Sequence, residues 1–523
     1  ADTGEELIPP MRHEGGIWNA LFSDDETKIL TSSDDGTARL FNADTGEELI
    51  PPMRHEGPVQ SATFSKDETK ILTGSDDGTA RLFSTKNGKE IFSPINLKTH
   101  VKNAGFIKNG TNFFARTNTW IVVFDTITGR ELNSFSHNGR INSVAFNREG
   151  TRILTSSGGD PYEREGMVNL FDASNGQTLF TKFEDTPVWG AVFNKDESQI
   201  LTYSAEGTAR LLDAETGEGL IPPMRQEGQI WSADFNNDET KILTISNDGT
   251  ARVFDADTGE ELTPPMRHDA AVRSAAFSND DTKILTSSDD GTARLFSAET
   301  GEELIPPMRH EESVNSAVFS KDDTKILTRS DGTARVFSAE TGEELMPPMR
   351  HEGLVRSVVF SADESKILTS SDDGTARLFD ASYGEELIPV LRHDAAVESA
   401  VFSNDETRIL TRSSDGTARL FDAAFGEELI PPMRHGGAVF SVEFSEDETK
   451  ILTTSGDDTV RVWDISRLPK GDLFDIACRF YLEKGGLDLS GGVNISGFGE
   501  LKISIADPIC VSPPPKPNWA EMQ

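Results

Sequence analysis

Cysteine is nearly absent from this chain, which has two in 523 residues, Cys478 and Cys510. So few exclude a disulfide framework and favour a reducing compartment, so we expect a cytoplasmic protein in which both thiols are reduced. No apolar run approaches the roughly 20 residues that a membrane helix needs, and no secretion signal opens the chain. The sequence starts with Ala1 inside a repeat, without Met, as a fragment or a processed product would.

Positive charge is also scarce. The 88 Asp and Glu outnumber the 50 Lys and Arg, for a formal net charge of −38. Such a surface repels nucleic acid phosphates and anionic membranes, so neither is an expected partner. The charge favours a protein or peptide partner with a basic surface.

Catalytic motifs are missing as well. The sequence has no Gly-x-x-x-x-Gly-Lys-Ser/Thr phosphate loop, no His-Glu-x-x-His, no Cys-x-x-Cys and no Gly-x-Ser-x-Gly. The segment Asp255-Ala-Asp257-Thr-Gly259 resembles the start of a calcium loop, but it also matches the ordinary turn of its neighbouring repeats. We therefore expect no enzyme activity, no cofactor and no metal.

What the chain has in abundance is repetition. The motif Asp-Gly-Thr-Ala-Arg-Leu-Phe recurs with a period of mostly 41 to 42 residues. Intact or nearly intact copies begin at Asp35, Asp77, Glu206, Asp248, Asp290, Asp331, Asp373 and Asp415, degenerate copies end at Phe124 and Phe171, and a last copy begins at Asp457. Eleven units of this period, each with four short apolar runs, predict an all-β propeller rather than a helical solenoid.

One unit, residues 55 to 97, illustrates the predicted blade. Residues 59–64 alternate as strand a, 70–73 form strand b, and the tight turn at Asp76-Asp-Gly78 leads into strand c at 79–83. In the regular copies the segment Glu-Glu-Leu-Ile-Pro-Pro-Met-Arg-His must then be strand d. Prolines donate no ladder hydrogen bonds, so strand d is predicted to be the outer edge.

All nine histidines fall between strand d and strand a. In seven units an Asp follows 21 or 22 residues later, which gives the pairs His13–Asp35, His55–Asp77, His268–Asp290, His310–Asp331, His351–Asp373, His393–Asp415 and His435–Asp457. Histidines spread one per blade do not converge on a metal or a catalytic centre. We interpret the pairs as structural ties, which Glu184 and Gln226 replace in two units.

These features resemble the WD40 repeat over residues 1 to 464. His55, Ser75 and Asp77 match the family's His, Ser/Thr and Asp network, and Trp463-Asp464 is the one full copy of the terminal Trp-Asp. Phe replaces the family Trp in nearly every other unit, which implies the loss of one hydrogen-bond link there. The tail resembles the end of WD40 arrays in bacterial multidomain proteins, which implies the sensor or interaction end of a larger bacterial protein.

The resemblance also predicts how the ring closes. Residues 1 to 13 form an unpaired strand d and residues 438 to 464 an unpaired a–b–c set, so the N-terminal strand is expected to complete the last blade. Eleven blades form either one large ring or two rings, the second with seven blades. The corresponding domains are 1–180, 181–464 and a cap at 465–523, with a short helix around 473–481 and a strand at 502–505.

The most informative difference among the repeats is the residue after the first Val or Ile of strand a. It is Trp18, Gln60, Lys102, Asn142, Trp189, Trp231, Arg273, Asn315, Arg356, Glu398 and Phe440 in successive units, while its neighbours barely change. By resemblance this position lies on the top face, where partners dock, and Trp and Arg are typical of interface hot spots. The longer loop at 158–165 is a second candidate contact. The alternatives are neutral drift on a rigid spacer and an enzyme sited in the channel.

Overall fold

A computed structural model of the chain describes residue 6 and residues 8–107, 110–137, 139–158, 165–175 and 177–468, together with the backbone of 493–494 and 500–501. Eleven four-stranded antiparallel sheets fill the repeat region. Within these ranges there is no helix, and so none that could cross a membrane. The predicted tail helix, the strand at 502–505 and both cysteines lie outside the described residues.

Each sheet is one blade, and its strands are called a to d from the inside outwards. The strands are β1 (Met11–Arg12); in blade 1 β2 (Ile17–Phe22), β3 (Lys28–Ser33), β4 (Thr37–Asn42) and β5 (Met53–Arg54); in blade 2 β6 (Val59–Phe64), β7 (Lys70–Ser75), β8 (Thr79–Ser84) and β9 (Ile95–Asn96); in blade 3 β10 (Asn103–Phe106), β11 (Asn112–Arg116), β12 (Trp120–Asp125) and β13 (Glu131–Ser136); in blade 4 β14 (Ile141–Phe146), β15 (Arg152–Ser157), β16 (Gly166–Asp172) and β17 (Thr178–Glu184).

The series continues in blade 5 with β18 (Val188–Phe193), β19 (Gln199–Ser204), β20 (Thr208–Asp213) and β21 (Met224–Arg225); in blade 6 with β22 (Ile230–Phe235), β23 (Lys241–Ser246), β24 (Thr250–Asp255) and β25 (Met266–Arg267); in blade 7 with β26 (Val272–Phe277), β27 (Lys283–Ser288), β28 (Thr292–Ser297) and β29 (Met308–Arg309); in blade 8 with β30 (Val314–Phe319), β31 (Lys325–Ser330), β32 (Thr333–Ser338) and β33 (Met349–Arg350).

The last three blades contain β34 (Val355–Phe360), β35 (Lys366–Ser371), β36 (Thr375–Asp380) and β37 (Leu391–Arg392) in blade 9; β38 (Val397–Phe402), β39 (Arg408–Ser413), β40 (Thr417–Asp422) and β41 (Met433–Arg434) in blade 10; and β42 (Val439–Phe444), β43 (Lys450–Ser455) and β44 (Thr459–Asp464) in blade 11. Two short strands, β45 (Val493–Asn494) and β46 (Glu500–Leu501), pair with each other.

Strand d is shorter than the sequence suggests. In nine blades it has two residues, with a proline at most two positions before it, whereas β13 and β17 have six and seven residues and no preceding proline. The prolines therefore do more than occupy an outer edge, because they interrupt its ladder between the Met-Arg pair and an isolated bridge farther toward the c–d turn, such as that of Glu48 with Phe41.

The N-terminal strand closes the ring as predicted. Met11 pairs with Val460 and Arg12 with Thr459, so β1 is strand d of blade 11. Toward the N-terminus, Glu6 forms a β-bridge with Trp463, and Glu6 Oε1 lies 3.2 Å from Arg461 Nη1. The confirmed closure joins strands more than 440 residues apart in the sequence.

The eleven blades form one ring. A hydrophobic cluster fills each interface between successive blades, and another joins blade 11 to blade 1 through Leu452 and Ile29. At the interface beside residue 180, where a second ring would begin, Phe180 of blade 4 and Val188 of blade 5 belong to one buried cluster. Of the two arrangements that the sequence left open, the single large ring is the one found.

A second set of contacts links the blades at their a–b turns. In nine blades an Asp or Glu occupies the left-handed backbone region there, at Glu26, Glu68, Glu197, Glu239, Asp281, Asp323, Glu364, Glu406 and Glu448. Each carboxylate accepts a hydrogen bond from a backbone N–H in the a–b turn of the preceding blade; the distance from Asn279 N to Asp323 Oδ2, for example, is 2.7 Å. Blades 3 and 4 have Gly110 and Gly150 at this position instead. The interblade bond explains why a residue other than glycine is kept in a strained conformation.

Deleting residues 1–13 should expose the free edge of β44 and accelerate amide hydrogen exchange in 459–464, because β1 supplies its only outer partner. Hydrogen-exchange mass spectrometry measures this, and β36 in blade 9 serves as the internal control. Unchanged protection of 459–464 would contradict closure by the N-terminal strand.

Glu406→Ala should lower the free energy of unfolding by about 1–2 kcal/mol, since it removes the acceptor of the Ala362 amide and keeps a side chain in the left-handed region. Urea denaturation of the variant measures the loss. Glu385→Ala, on an exposed c–d turn, is the control and should change the value by less than about 0.5 kcal/mol. Equal stability of the two variants would show that the interblade bond contributes nothing.

Candidate interaction surface

The d–a connections and the b–c turns meet at one end of every blade, because consecutive strands run antiparallel. We call this end the top face, and it carries both the histidines and the variable residues. The a–b and c–d turns lie at the opposite end.

Each regular histidine joins three segments of its own blade. In blade 7, His268 Nδ1 lies 3.0 Å from Asp290 Oδ2 and 3.1 Å from Thr292 Oγ1, and Nε2 lies 2.7 Å from Thr286 Oγ1. The ring thus ties the d–a connection to the b–c turn and to strands b and c. The carboxylate of Asp290 also accepts the Asp269 amide at 3.0 Å.

Six of the seven predicted pairs are hydrogen-bonded. The distances from Nδ1 to the carboxylate are 2.9 Å for His13–Asp35, 3.1 Å for His55–Asp77, 3.0 Å for His268–Asp290, 3.0 Å for His351–Asp373, 3.2 Å for His393–Asp415 and 3.4 Å for His435–Asp457.

The prediction was wrong for His310 and Asp331. Blade 8 has one Asp in its b–c turn where its neighbours have two, and Asp331 takes the place of the first. Its Oδ1 accepts a hydrogen bond from Asn315 Nδ2 at 2.9 Å, while His310 keeps Thr328 and Thr333 as partners. The missing residue, rather than the histidine, breaks the pair.

The irregular units have other partners at this place. Glu184 Oε2 lies 2.6 Å from Arg210 Nε, and Gln226 Nε2 donates to Thr250 Oγ1 at 3.5 Å. His137 contacts Thr155 and Asn169, whereas the side chain of His100 is 63% exposed and lies 3.2 Å from Asp76. Blade 3 offers His100 neither of the usual partners, because its b–c turn contains no acid and its strand b has Ala115 in place of the threonine.

Burial dominates the titration of these histidines. It lowers the pKa of His55, His137, His310 and His435 to about 4. Burial alone would raise the pKa of Asp77, but hydrogen bonds from Thr79 and from the Glu56 amide outweigh it and lower this pKa to about 2. At neutral pH each pair is therefore a neutral imidazole beside a carboxylate.

The indole of Trp463 makes the link that Phe cannot make. Its Nε1 donates to Thr453 Oγ1 at 3.0 Å, and Thr453 also bonds to His435 Nε2. Phe337 at the same place in blade 8 contacts His310 edge-on, with ring centroids 6.5 Å apart. Trp463 makes a similar edge-on contact with His435, with ring centroids 6.3 Å apart. A Phe blade therefore keeps the ring contact and loses the hydrogen bond, and the loss of that link is what the sequence predicts.

The variable position has a structural explanation that the sequence did not reveal. In ten blades the pairing of strands a and b shifts by one residue at this point, so the variable residue is the extra residue of a β-bulge. Trp18, for example, lies between Ile17, which pairs with Ser33, and Asn19, which pairs with Ser32. A bulged residue faces no partner across the ladder, which frees its side chain from the demands of the sheet. Lys102 directly precedes the shorter strand a of blade 3.

The bulge residue matches the first residue of the b–c turn, 16 positions later. Where that residue is Asp, the bulge residue is a donor: Trp18 to Asp34, Gln60 to Asp76, Arg273 to Asp289, Asn315 to Asp331 and Arg356 to Asp372, at 2.6–3.1 Å. Where it is Ser414, Glu398 is the acceptor, at 2.8 Å. Where it is Ala205 or Gly456, the bulge residue is the apolar Trp189 or Phe440. Part of the variation at this position is therefore explained by hydrogen bonding to the adjacent b–c turn.

The aromatic members differ in exposure. Trp18 is 57% exposed, Trp189 48% and Phe440 55%. Trp231 is half-buried against the cluster between blades 6 and 7, and the Arg273 guanidinium lies over it, 5.0 Å from the ring centroid. Of the four aromatic bulge residues, three are therefore available on the top face and Trp231 is covered.

Possible metal ligands are dispersed in the described part of the chain. No group of three or more His, Cys, Asp or Glu there could hold a metal ion. Asp255 Oδ1 accepts hydrogen bonds from the Asp257 and Thr258 amides, as in an ordinary turn. Most of the loop at 158–165, namely 159–164, lies outside the described residues.

The comparison with protein-family models agrees with this repeat architecture. The family model of the WD domain, G-beta repeat, matches nine stretches: 9–42, 51–84, 129–172, 223–255, 261–297, 305–338, 346–380, 385–422 and 431–464. The comparison with curated protein sequences found no match. Among solved structures, the chain is similar to the computationally designed Ika8 protein, with a TM-score of 0.40 and 18% identity, covering 88% of this chain and 100% of the designed one.

Stability should fall as the pH drops from about 6.5 to 4. The pKa of the buried histidines, such as His55 and His310, is lower in the folded protein than in the unfolded chain. The unfolded chain therefore binds more protons between these two pKa values, and the free energy of unfolding decreases as the pH falls through this range. Urea unfolding midpoints at pH 7.5 to 4.5 test this. His55→Gln should flatten the slope by about one proton, because Gln226 occupies the same place in blade 6 without titrating. A midpoint independent of pH would contradict the account.

Proposed function

The chain belongs to the WD40-repeat family of β-propellers, and from this premise we propose that it is a non-enzymatic scaffold that binds a protein or peptide on its top face. WD40 propellers are in general protein-interaction scaffolds. The observation that carries the proposal is the row of bulge residues, which presents Trp18, Trp189 and Phe440 to solvent at one structural address.

Exposed aromatic residues at this address favour an interface over drift. Among the described residues the side chains of Trp189 and Phe440 have no hydrogen-bond partner that would explain their choice, and each residue is about half exposed. Rigid aromatic side chains bury a large area at low entropic cost, so they are typical anchors of an interface. The paired bulge residues, such as Arg356 with Asp372, supply charge around these anchors.

The formal charge of −38 argues for a partner with a basic surface and against nucleic acid and anionic membranes. We propose that the protein acts in the cytoplasm as the sensor or interaction end of a larger bacterial protein, as its resemblance to such arrays suggests.

Two other functions have less support. A rigid spacer would let the top-face residues vary freely, but most of them match the turn residue beside them. An enzyme would need acids and histidines that converge on the channel, whereas eight of the nine histidines are buried or half-buried within separate blades.

The double variant Trp189→Ala, Arg356→Ala should weaken binding to the native partner at least tenfold, because two hot-spot side chains leave the interface. The melting temperature should change by no more than a few degrees, since Trp189 is 48% exposed and the Arg356 side chain 40%. The partner is first isolated by co-purification from cells that produce the protein, and its dissociation constant is then measured by calorimetry.

The control is Tyr383→Ala, which removes an aromatic residue that is 72% exposed on a c–d turn, at the opposite end of the blade. Normal binding by the double variant, or an equal loss with Tyr383→Ala, would refute the top-face proposal. Unfolding of the double variant would show that these side chains belong to the core.

A further inference from the structure

A cleft of about 380 Å³ opens on the top face where the ring closes, between blades 11 and 1. Phe440 of blade 11 and Trp18 of blade 1 line it, and Asp34 stands beside Trp18. Ser441, Thr454 and Asn19 complete its polar lining, and none of the described lining residues is basic. The cleft therefore combines exposed aromatic rings with a carboxylate and has no cation of its own.

Elsewhere on the same face the chain provides the cation itself. Arg273 Nε lies 2.6 Å from Asp289 Oδ1, Arg356 contacts both oxygens of Asp372, and Lys102 Nζ lies 3.2 Å from Asp76 Oδ1. Each acid is the first residue of a b–c turn, as Asp34 is. At Asp34 the bulge residue is Trp18, whose indole N–H donates to Oδ1 at 2.7 Å but carries no charge.

The interface between blades 6 and 7 shows the complete arrangement. There the guanidinium of Arg273 lies over the ring of Trp231, the bulge residue of the preceding blade, and pairs with Asp289 on its own blade. A guanidinium stacked on an aromatic face and paired with a carboxylate satisfies both its charge and its planar shape.

The interface between blades 11 and 1 has the same aromatic and acidic positions without the arginine. Phe440 is the bulge residue of the preceding blade and corresponds to Trp231, and Asp34 corresponds to Asp289. Trp18 occupies the position of Arg273. Trp18 takes the hydrogen bond to the acid but carries no charge, so among the described lining residues of the cleft no cation faces Asp34 or Phe440.

We propose that this cleft binds an arginine side chain of the partner, with its guanidinium against Phe440 or Trp18 and paired with Asp34. The inference rests on the proposed function, because it places one anchor of the bound protein on the top face. The acidic net charge of the chain favours the same cation.

The test follows the indole N–H of Trp18 by NMR in protein labelled with ¹⁵N-tryptophan, with the signal assigned from Trp18→Phe. The probes are the blocked tripeptides acetyl-Gly-Arg-Gly-amide, acetyl-Gly-Lys-Gly-amide and acetyl-Gly-Gln-Gly-amide. We expect a saturable shift of the Trp18 signal with the arginine peptide and affinities at least tenfold weaker for the other two. Equal affinity for the glutamine peptide, equal affinity for the lysine peptide, or no saturation would overturn the proposal.

Asp34→Asn should weaken binding of the arginine peptide at least tenfold while keeping an oxygen acceptor for the Trp18 indole, and Phe440→Ala should weaken it similarly. Tyr383→Ala is the control, because it removes an aromatic residue that is 72% exposed on a c–d turn, at the opposite end of the blade from Asp34, and it should bind normally. Unchanged affinity of Asp34→Asn would also overturn the proposal.

The same experiments separate this inference from the proposed function. Loss of partner binding in the Trp189 and Arg356 double variant, with no response of Trp18 to the arginine peptide, would refute the arginine site and leave the top face as the interaction surface. A saturable response that depends on Asp34, with normal partner binding by the double variant, would support the arginine site and refute the wider surface.

Discussion

Ring closure is the constraint on which the rest of this structure depends. A single four-stranded blade exposes both of its apolar faces, and only stacking against two neighbours buries them. The eleven clusters between blades bury both faces of every blade. The last of them forms where the ring closes: β1 joins blade 11, and Leu452 of that blade shares a cluster with Ile29 of blade 1. The carboxylates of the a–b turns also link each blade to the preceding one, except in blades 3 and 4, which have Gly110 and Gly150 at this position. The strand pairing, the core and the turn chemistry thus all serve the contact between one blade and the next.

The top face gains its freedom from a local defect in this regular scaffold. A bulge removes one residue of strand a from the ladder, and the b–c turn 16 residues later provides its nearest partner. The histidine network fixes the position of that b–c turn, as the hydrogen bond between His268 and Asp290 does in blade 7. A rigid scaffold therefore carries one adjustable side chain per blade, which is the arrangement that a binding surface requires.

Much of the fold can be predicted from the sequence because the same pattern of residues occurs in eleven repeats. The period and the strands come from comparing units with one another, and closure by residues 1 to 13 is implied by the resemblance to the WD40 repeat. The exceptions are instructive. Asp331 looks like the partner of His310 by spacing alone, but a turn shorter by one residue moves it to the place of the first acid. The number of rings depends on the buried cluster that joins blades 4 and 5, which no single repeat encodes. The bulge is invisible in the sequence because it changes pairing without changing residue type, and the partnership of Arg273 with Asp289 becomes apparent only once the bulge is known.

The central claim is that the bulge residues face the bound partner. Site-specific photo-crosslinking in cells that produce the protein tests it most directly, with benzoylphenylalanine placed at Gln60 or Asn315 on the top face and at Tyr383 or Phe425 in the c–d turns. The account predicts one crosslinked partner from both top-face positions and none from the c–d turns. Crosslinks to the partner from Tyr383 and Phe425, and none from Gln60 and Asn315, would contradict it.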